Sequence, residues 1–536
     1  MASSRLTVAH DQNALSVCRI FDMFAQYTIP LNGTTSLTPA SVRLLESPAP
    51  VTIVVGFLVA GLLVWEQVSY RRKKQHLPGP DVKQPIIGAL LESLHPTFDG
   101  YLSKWNSGPL SCVSVFNRFI VIASTCDLSR KILNSPTFAE PCIIDAMWKI
   151  LEPDNWVFLM GKAHVDYRKG LNVLFTRRAL RIYVPIQQKV YAEHFKKWLQ
   201  LGGKQERYQM LFREVNLDAS LRVFFGDYIP TDVAEQISVK YLRITAALEL
   251  VNFPLALPGT KVWHAMRSRK YIVDEFLKAV KISRERMARG EPESCMLDGW
   301  IKSMIDITSG ATAKGDDEEN VTRTTRYFED REVALTLLTF LFASQDATTS
   351  AVTWAFQLLA DNPDVLAKVR QEQAEVRNDD YDKEVTYEML ESMLYTRQVV
   401  KEVMRYRPPV LMSEYCTVAF GMSVRAMVIP TFWPALHDPE VYPNPDNFDP
   451  DRFGPNGSAS DTAKNYMVFG CGPHVCLGKE YAIGLITGLI GQASVKLDWE
   501  HVKTEDSEKI IIFATTYPKD ACILKVTPRS RSPVTV

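Results

Sequence analysis

Near its amino end the chain carries an unbroken apolar run, 51–65 (VTIVVGFLVAGLLVW), and Glu66 alone interrupts the stretch before Tyr70. About 20 residues rising about 1.5 Å each just cover the roughly 30 Å hydrocarbon core of a bilayer. Arg71-Arg72-Lys73-Lys74 follows at once, and the excess of positive charge places that end, with everything after it, in the cytosol. Trp65 and Tyr70 suit the membrane interface. Residues 1–48 then form a lumenal tail, and its Asn32-Gly33-Thr34 sequon lies on the correct side for glycosylation. A cleaved signal peptide fits poorly so far from the terminus and without an A-x-A-like exit; a buried core helix is the remaining alternative. Leu77-Pro78-Gly79-Pro80 cannot continue a helix. The pattern predicts a tail at 1–48, an anchor at 49–70, a basic and proline-rich hinge at 71–80, and one large domain at 81–536.

Within that domain the periodicity is mostly helical. Amphipathic patterns run from about 160 to 300 and from 331 to 407. The stretch 111–124 (SCVSVFNRFIVIAS) has an Asn-Arg turn between β-branched runs and predicts a hairpin. The last quarter has short strands and many prolines, and the polar stretch 309–329 reads as a surface loop. The fold class is therefore mainly α with a small β region. A formal net charge of zero implies no bulk attraction to nucleic acid. Seven of the nine cysteines lie far from any metal-ligand spacing, so neither zinc nor a disulfide framework is expected, and unpaired thiols suit a reducing compartment.

Cys476 differs from the other cysteines. It sits in Phe469-Gly470-Cys471-Gly472-Pro473-His474-Val475-Cys476-Leu477-Gly478, a glycine-punctuated loop leading into an apolar helix. Glycines 472 and 478 would let the backbone pass close to a flat macrocycle and aim N–H groups at the sulfur, while the helix start favours a thiolate. Such a thiolate is a candidate haem-iron ligand, His474 a candidate propionate donor and Cys471 a passenger. Glu402 and Arg405, three apart in Lys401-Glu402-Val403-Met404-Arg405-Tyr406-Arg407-Pro408-Pro409, share a helix face. Arg452 of Phe448-Asp449-Pro450-Asp451-Arg452-Phe453 can join them in a knot of one carboxylate and two guanidiniums. Ala343-Ser344-Gln345-Asp346-Ala347-Thr348 interrupts an apolar helix with groups that belong beside a wet pocket, a reactive centre or an exposed face.

Taken in order, these motifs resemble the cytochrome P450 family from Leu77 to the carboxyl end. The resemblance implies a helical haem-thiolate fold preceded by one transmembrane helix, with haem b (iron protoporphyrin IX) as cofactor. It makes Cys476 the proximal thiolate and metal ligand, with Phe469 and Gly478 in the cofactor loop. Glu402, Arg405 and Arg452 become the structural triad. A W-x-x-x-R helix maps onto His164-Val165-Asp166-Tyr167-Arg168, so His164 and Arg168 join His474 as propionate partners, with histidine in place of tryptophan. The central helix has Ala347 where the family has threonine, which leaves Asp346 and Thr348 to supply protons.

ASQDAT, YMVFGCGPHVCLGKEYA, RYRPPVLM and PALHDPEVYP are similar to fungal sterol C-22 desaturases. That likeness implies introduction of the C-22(23) double bond of ergosterol, with O2, NADPH-derived electrons and a membrane-bound NADPH-cytochrome P450 reductase, in the endoplasmic reticulum membrane. Lys169, Arg177 and Lys479 are candidate contacts for an acidic electron donor. Residues 143–147, Leu341, Phe342, Leu411 and Thr516 are expected at the sterol pocket. One segment departs: 413–427 (SEYCTVAFGMSVRAM) is several residues short and lacks a V-P-x-G-type turn. Another sterol or xenobiotic monooxygenase, a haem-thiolate isomerase, and a haem-binding protein without turnover stay open as alternatives.

Overall fold

A computed structural model of the protein describes residues 48–116, 118–135, 138–141, 145–247, 256–309, 324–413, 415–417, 426–460, 463–513 and 515–530. The lumenal tail with its sequon, the tip of the shortened 413–427 segment, and 143 and 144 of the expected pocket lie outside the described residues. The chain forms two units, 1–65 and 66–536.

Helix α1 (Pro48–Lys74) contains the apolar run. Among the described residues, Thr52–Lys74 is the one helix long and apolar enough to cross a membrane, with mean hydropathy 1.7. Its end belongs to the larger unit. Glu66 is an ion pair with Lys83 at 2.5 Å and accepts from the Ile86 N–H at 3.1 Å, so this charge is matched by protein. Tyr70 is buried against Phe119 rather than exposed at an interface, and its hydroxyl donates to the Pro80 carbonyl at 2.8 Å. The turn at 77–80 is packed, not swivelling: the Cys112 N–H donates to the Pro78 carbonyl at 2.7 Å, and a Cβ on Gly79 would meet the Cys112 carbonyl at 2.3 Å.

The hairpin is present as β1 (Leu110–Val115) and β2 (Arg118–Ala123), antiparallel with Leu110 opposite Ala123. β3 (Ala139–Pro141), β4 (Tyr415–Thr417) and β5 (Met427–Pro430) complete a sheet of order β1-β2-β5-β4-β3. The described parts of 413–427 thus still pair into this sheet. Cys416 on β4 is disulfide-bonded, which departs from the expectation that all cysteines are unpaired.

The helical body contains α2 (Gly161–Leu171), α3 (Arg177–Leu199), α4 (Tyr208–Phe225), α5 (Thr231–Ala246), α6 (Lys261–Ala288), α7 (Met296–Thr308), α8 (Asp330–Asp361), α9 (Leu394–Tyr406) and α10 (Lys479–Lys496). α8 is buried on nearly every face, as expected of a helix that is apolar all round. It opens with a reciprocal cap in which the Glu329 and Glu332 side chains take each other's backbone N–H. The described part of the 309–329 stretch is largely surface, with Ser309, Thr325, Tyr327 and Glu329 exposed, and it is anchored by Phe328, which is fully buried, and by Thr324, which donates to the Gly170 carbonyl at 2.9 Å.

Candidate functional site

The loop before α10 is closed by its own backbone. The Cys476 N–H donates to the Phe469 carbonyl at 2.9 Å, and Gly478 is the N-cap of α10. Of the two glycines expected to need their freedom, only Gly472 has a positive φ, +74°, and a Cβ there would meet the Leu133 carbonyl at 2.6 Å. Gly470, at φ +69°, is the second such position. Gly478 keeps an ordinary φ of −90° and contributes its N–H, which points at the Cys476 sulfur.

Cys476 is exposed by area, yet protein surrounds its sulfur closely enough that burial pushes the thiol up, against the pull of the Gly478 N–H and the Arg168 charge. Part of the residue's surface thus stays open. α2 supplies the opposite set of groups. Arg168 is half-buried, burial lowers its pKa, and it has no carboxylate partner among the described residues. His164 stacks on His474 with centroids 4.0 Å apart. Burial and neighbouring positive groups hold His474 at about pKa 4 and lower His164, so both rings are neutral at pH 7. A sulfur ligand, an unmatched cation and neutral ring donors fit a group that brings a metal to the sulfur and anionic arms to the nitrogens.

Beneath the loop, Glu402 and Arg405 are fully buried and Arg452 nearly so. Glu402 takes Arg405 in a fork, Nε at 2.7 Å and an Nη at 2.8 Å, with Arg452 Nε at 3.4 Å and the Asp449 N–H at 3.0 Å. The remaining guanidinium donors reach the carbonyls of Leu436 at 3.1 Å, Pro443 at 2.5 Å and Asn444 at 2.7 Å. One carboxylate thus ties α9 to the segment 436–452.

Next to this knot, His437 stacks on Trp433 at 3.6 Å, and burial, helped by Arg405, lowers its pKa to about 3. The unfolded chain takes up that proton near pH 6.5, so the contribution of neutral His437 is complete above about pH 6.5 and is lost as pH falls toward its folded value. The unfolding free energy of the wild type should fall more steeply between about pH 7 and about pH 5 than that of His437→Asn in urea titrations; parallel curves would refute this.

The polar residues in the middle of α8 are tied to neighbouring elements. Asp346 is paired with Arg213 of α4, whose other nitrogen donates to Thr245 of α5 at 3.0 Å. The Tyr517 hydroxyl donates to the Asp346 carbonyl at 3.0 Å. Asn216 donates to the carbonyls of Ser344 at 3.0 Å and Gln345 at 3.1 Å. Thr348 is buried, and its hydroxyl makes no hydrogen bond among the described residues. Of the expected pocket residues, Leu341, Leu411 and Thr516 are packed in the interior, with the Thr516 hydroxyl donating to the Pro408 carbonyl at 2.9 Å; Phe342 keeps part of its surface. Spacing gave no signal for Arg213, which lies 133 positions before its partner.

Comparison with known proteins places this arrangement. Residues 78–510 match the family described as cytochrome P450. The chain is 48% identical over 482 residues to a C-22 sterol desaturase of Gibberella zeae, covering 87% of this chain and 90% of that one. It is 46% identical over 491 residues to the C-22 sterol desaturase of Saccharomyces cerevisiae, covering 89% and 90%. A cyanobacterial protein of known structure, solved with retinoic acid bound, superposes with a TM-score of 0.69 at 23% identity over 84% of this chain and 99% of its own. The helical body, the cysteine loop and these likenesses agree: the chain belongs to the cytochrome P450 family.

Proposed function

We propose that this protein is a membrane-anchored sterol C-22 desaturase, a haem-thiolate oxidase that places the C-22(23) double bond in an ergosterol-type side chain. The observation that carries the reading is 46–48% identity, over nearly the whole chain, to desaturases of two fungi. The family implies haem and an electron-donating partner; the finer assignments are haem b, NADPH as electron source, a reductase of the same membrane, and the endoplasmic reticulum with the body in the cytosol. The domain boundaries 1–48, 49–70, 71–80 and 81–536 belong to the same proposal, with the helical end of the anchor packed into the body.

Bound haem, held by a thiolate, would supply oxygen activation by single-electron steps. Cys476 would hold the iron, with its loop held by the 469–476 backbone bond and the Gly478 N–H. Arg168, His164 and His474 would hold the acidic edge. Asp346, paired with Arg213, and Thr348, two positions further along α8, would take part in proton supply to the reacting centre. Choosing an alkene over an alcohol is a positioning problem, since both side-chain carbons must be held at the reacting centre. Lys169 and Arg177 are exposed, with loose carboxylate partners at 3.9 and 3.7 Å, which suits them to meet an acidic donor protein; Lys479 stands at the start of α10.

The test is reconstitution of the full-length protein with a reductase, NADPH and an ergosta-type sterol with a saturated side chain. The expected product is the C-22 alkene; a side-chain alcohol alone would favour the monooxygenase alternative and overturn this assignment. In the same assay Asp346→Asn should slow product formation by on the order of a hundredfold, the scale of a lost proton-transfer group, while leaving the reduced carbon monoxide spectrum unchanged. Undiminished turnover would remove Asp346 from proton supply.

A further inference from the structure

The middle of α8 is open on the side of the cysteine loop. Every position from Val333 to Leu359 is buried except Phe342, Ala343, Ser344, Asp346 and Ala347. Phe340 shares a helix face with Ala343, Ser344 and Ala347. It meets Phe175 edge-on at 5.5 Å, and the Phe175 ring lies 4.0 Å from where a Cβ on Gly478 would stand. Of the five open positions, Ser344 alone carries a hydroxyl, and that hydroxyl lies 3.3 Å from the hydroxyl of Ser220 on α4. One turn along each helix, Phe224 and Phe340 meet at 6.4 Å, so the two helices face each other in matched positions.

Tyr481 of α10 packs on the same pair of helices, its ring 6.3 Å from Phe224 and 6.4 Å from Phe175. Its hydroxyl is buried and has no direct hydrogen-bond partner among the described residues. Burial pushes its pKa up, and the neighbouring Gln187 and Ser220 side chains counter that rise. Tyr481 and Gln187 of α3 also line a cleft of about 320 Å³ between α3 and α10. At the wall of this cleft Glu480, more than half exposed, pairs with Arg397 at 3.0 Å. A buried phenol without a partner carries the cost of desolvation, and a site lined by several polar groups is the kind that holds a water.

We infer that the hydroxyls of Tyr481, Ser220 and Ser344, joined to Gln187 by a bound water, form a proton path from the α3–α10 cleft through the helix bundle to the open face of α8. This deepens the desaturase reading and rests on it. Making an alkene with O2 takes two electrons and two protons besides the two hydrogens removed from the side chain, and all four hydrogens leave in two waters. The electrons come from the donor protein, and the path brings protons from solvent. A hydroxyl both donates and accepts, so each one passes its proton forward and takes another from behind, and none is left charged. Ser344 hands the proton on at the open face; Ser220, Tyr481 and Gln187 are positioning residues that act through it. Asp346 stands two positions further along α8, so the path adds a second supply beside it.

The first test uses the resting full-length protein without sterol or reductase. The phenol infrared band that the wild type has and Tyr481→Phe lacks should shift promptly on mixing into D2O; a band that shifts only when the protein is unfolded overturns the path. The second test is turnover with reductase, NADPH and an ergosta-type sterol. Tyr481→Phe keeps the ring and Ser220→Ala removes a single oxygen, so each should slow alkene formation by on the order of tenfold, less than the loss of a proton-transfer group such as Asp346. D2O should slow each variant more than it slows the wild type, which a packing defect would not do. The double variant should be no slower than either single one, because a single path is cut only once. Losses that multiply, or unchanged rates in the single variants, overturn the inference. Should Tyr481→Phe fail to fold, Ser220→Ala and Ser344→Ala carry the same comparison. A wild type that forms no alkene defeats the desaturase reading instead, and the D2O band then decides the path alone.

Discussion

Full-length Cys476→Ser protein is expected to fold, to show no thiolate-type band in the reduced carbon monoxide spectrum, and to make no C-22 alkene. Serine is close in size, and the bond that closes the loop uses the backbone N–H of residue 476, which the substitution keeps. A surface-level change in stability, within about 0.5–1 kcal/mol, is therefore expected. The hydroxyl cannot replace the thiolate, because its proton is held too tightly to leave an anionic ligand at neutral pH. In the free protein burial already holds the thiol above its ordinary range, so iron must displace its proton on binding. A retained thiolate-type band would assign the ligand to another cysteine, with Cys471 the nearest in the loop.

Glu402→Ala should be the most destabilising single substitution in the chain. It removes the only carboxylate, among the described residues, between two guanidiniums that are fully or nearly fully buried, and breaking a buried pair from one side costs about 3–5 kcal/mol. That is a large part of the roughly 5–15 kcal/mol that keeps a domain folded. Urea unfolding should show the midpoint shift, and the yield of soluble holoprotein should drop with it. Glu402→Gln keeps the shape and some hydrogen bonds, so it should fall between alanine and wild type. A loss under about 1 kcal/mol in the alanine variant would mean that the carbonyls of Leu436, Pro443 and Asn444 satisfy the arginines by themselves.

Local patterns carried the family assignment, and long-range pairing carried what they missed. The hairpin at 110–123 was legible because β-branched residues flank a turn. The cysteine loop was legible because its glycines are spaced for a tight path, although φ values show that the second strained glycine is Gly470 rather than Gly478. Glu402 and Arg405 share one helix face, which spacing reveals. The fates of Glu66 and Tyr70 could not be read so: both interrupt or end an apolar run, and only the fold shows Lys83 and Phe119 meeting them. Asp346 is similar, since its arginine comes from α4.

The central claim is tested most directly by the sterol profile of a fungal strain lacking its own C-22 desaturase and expressing this chain. The account predicts that sterols with a C-22 double bond reappear, and that they are absent when the chain carries Cys476→Ser. Side chains that stay saturated, in cells where the wild-type protein shows a thiolate-type carbon monoxide spectrum, would contradict it.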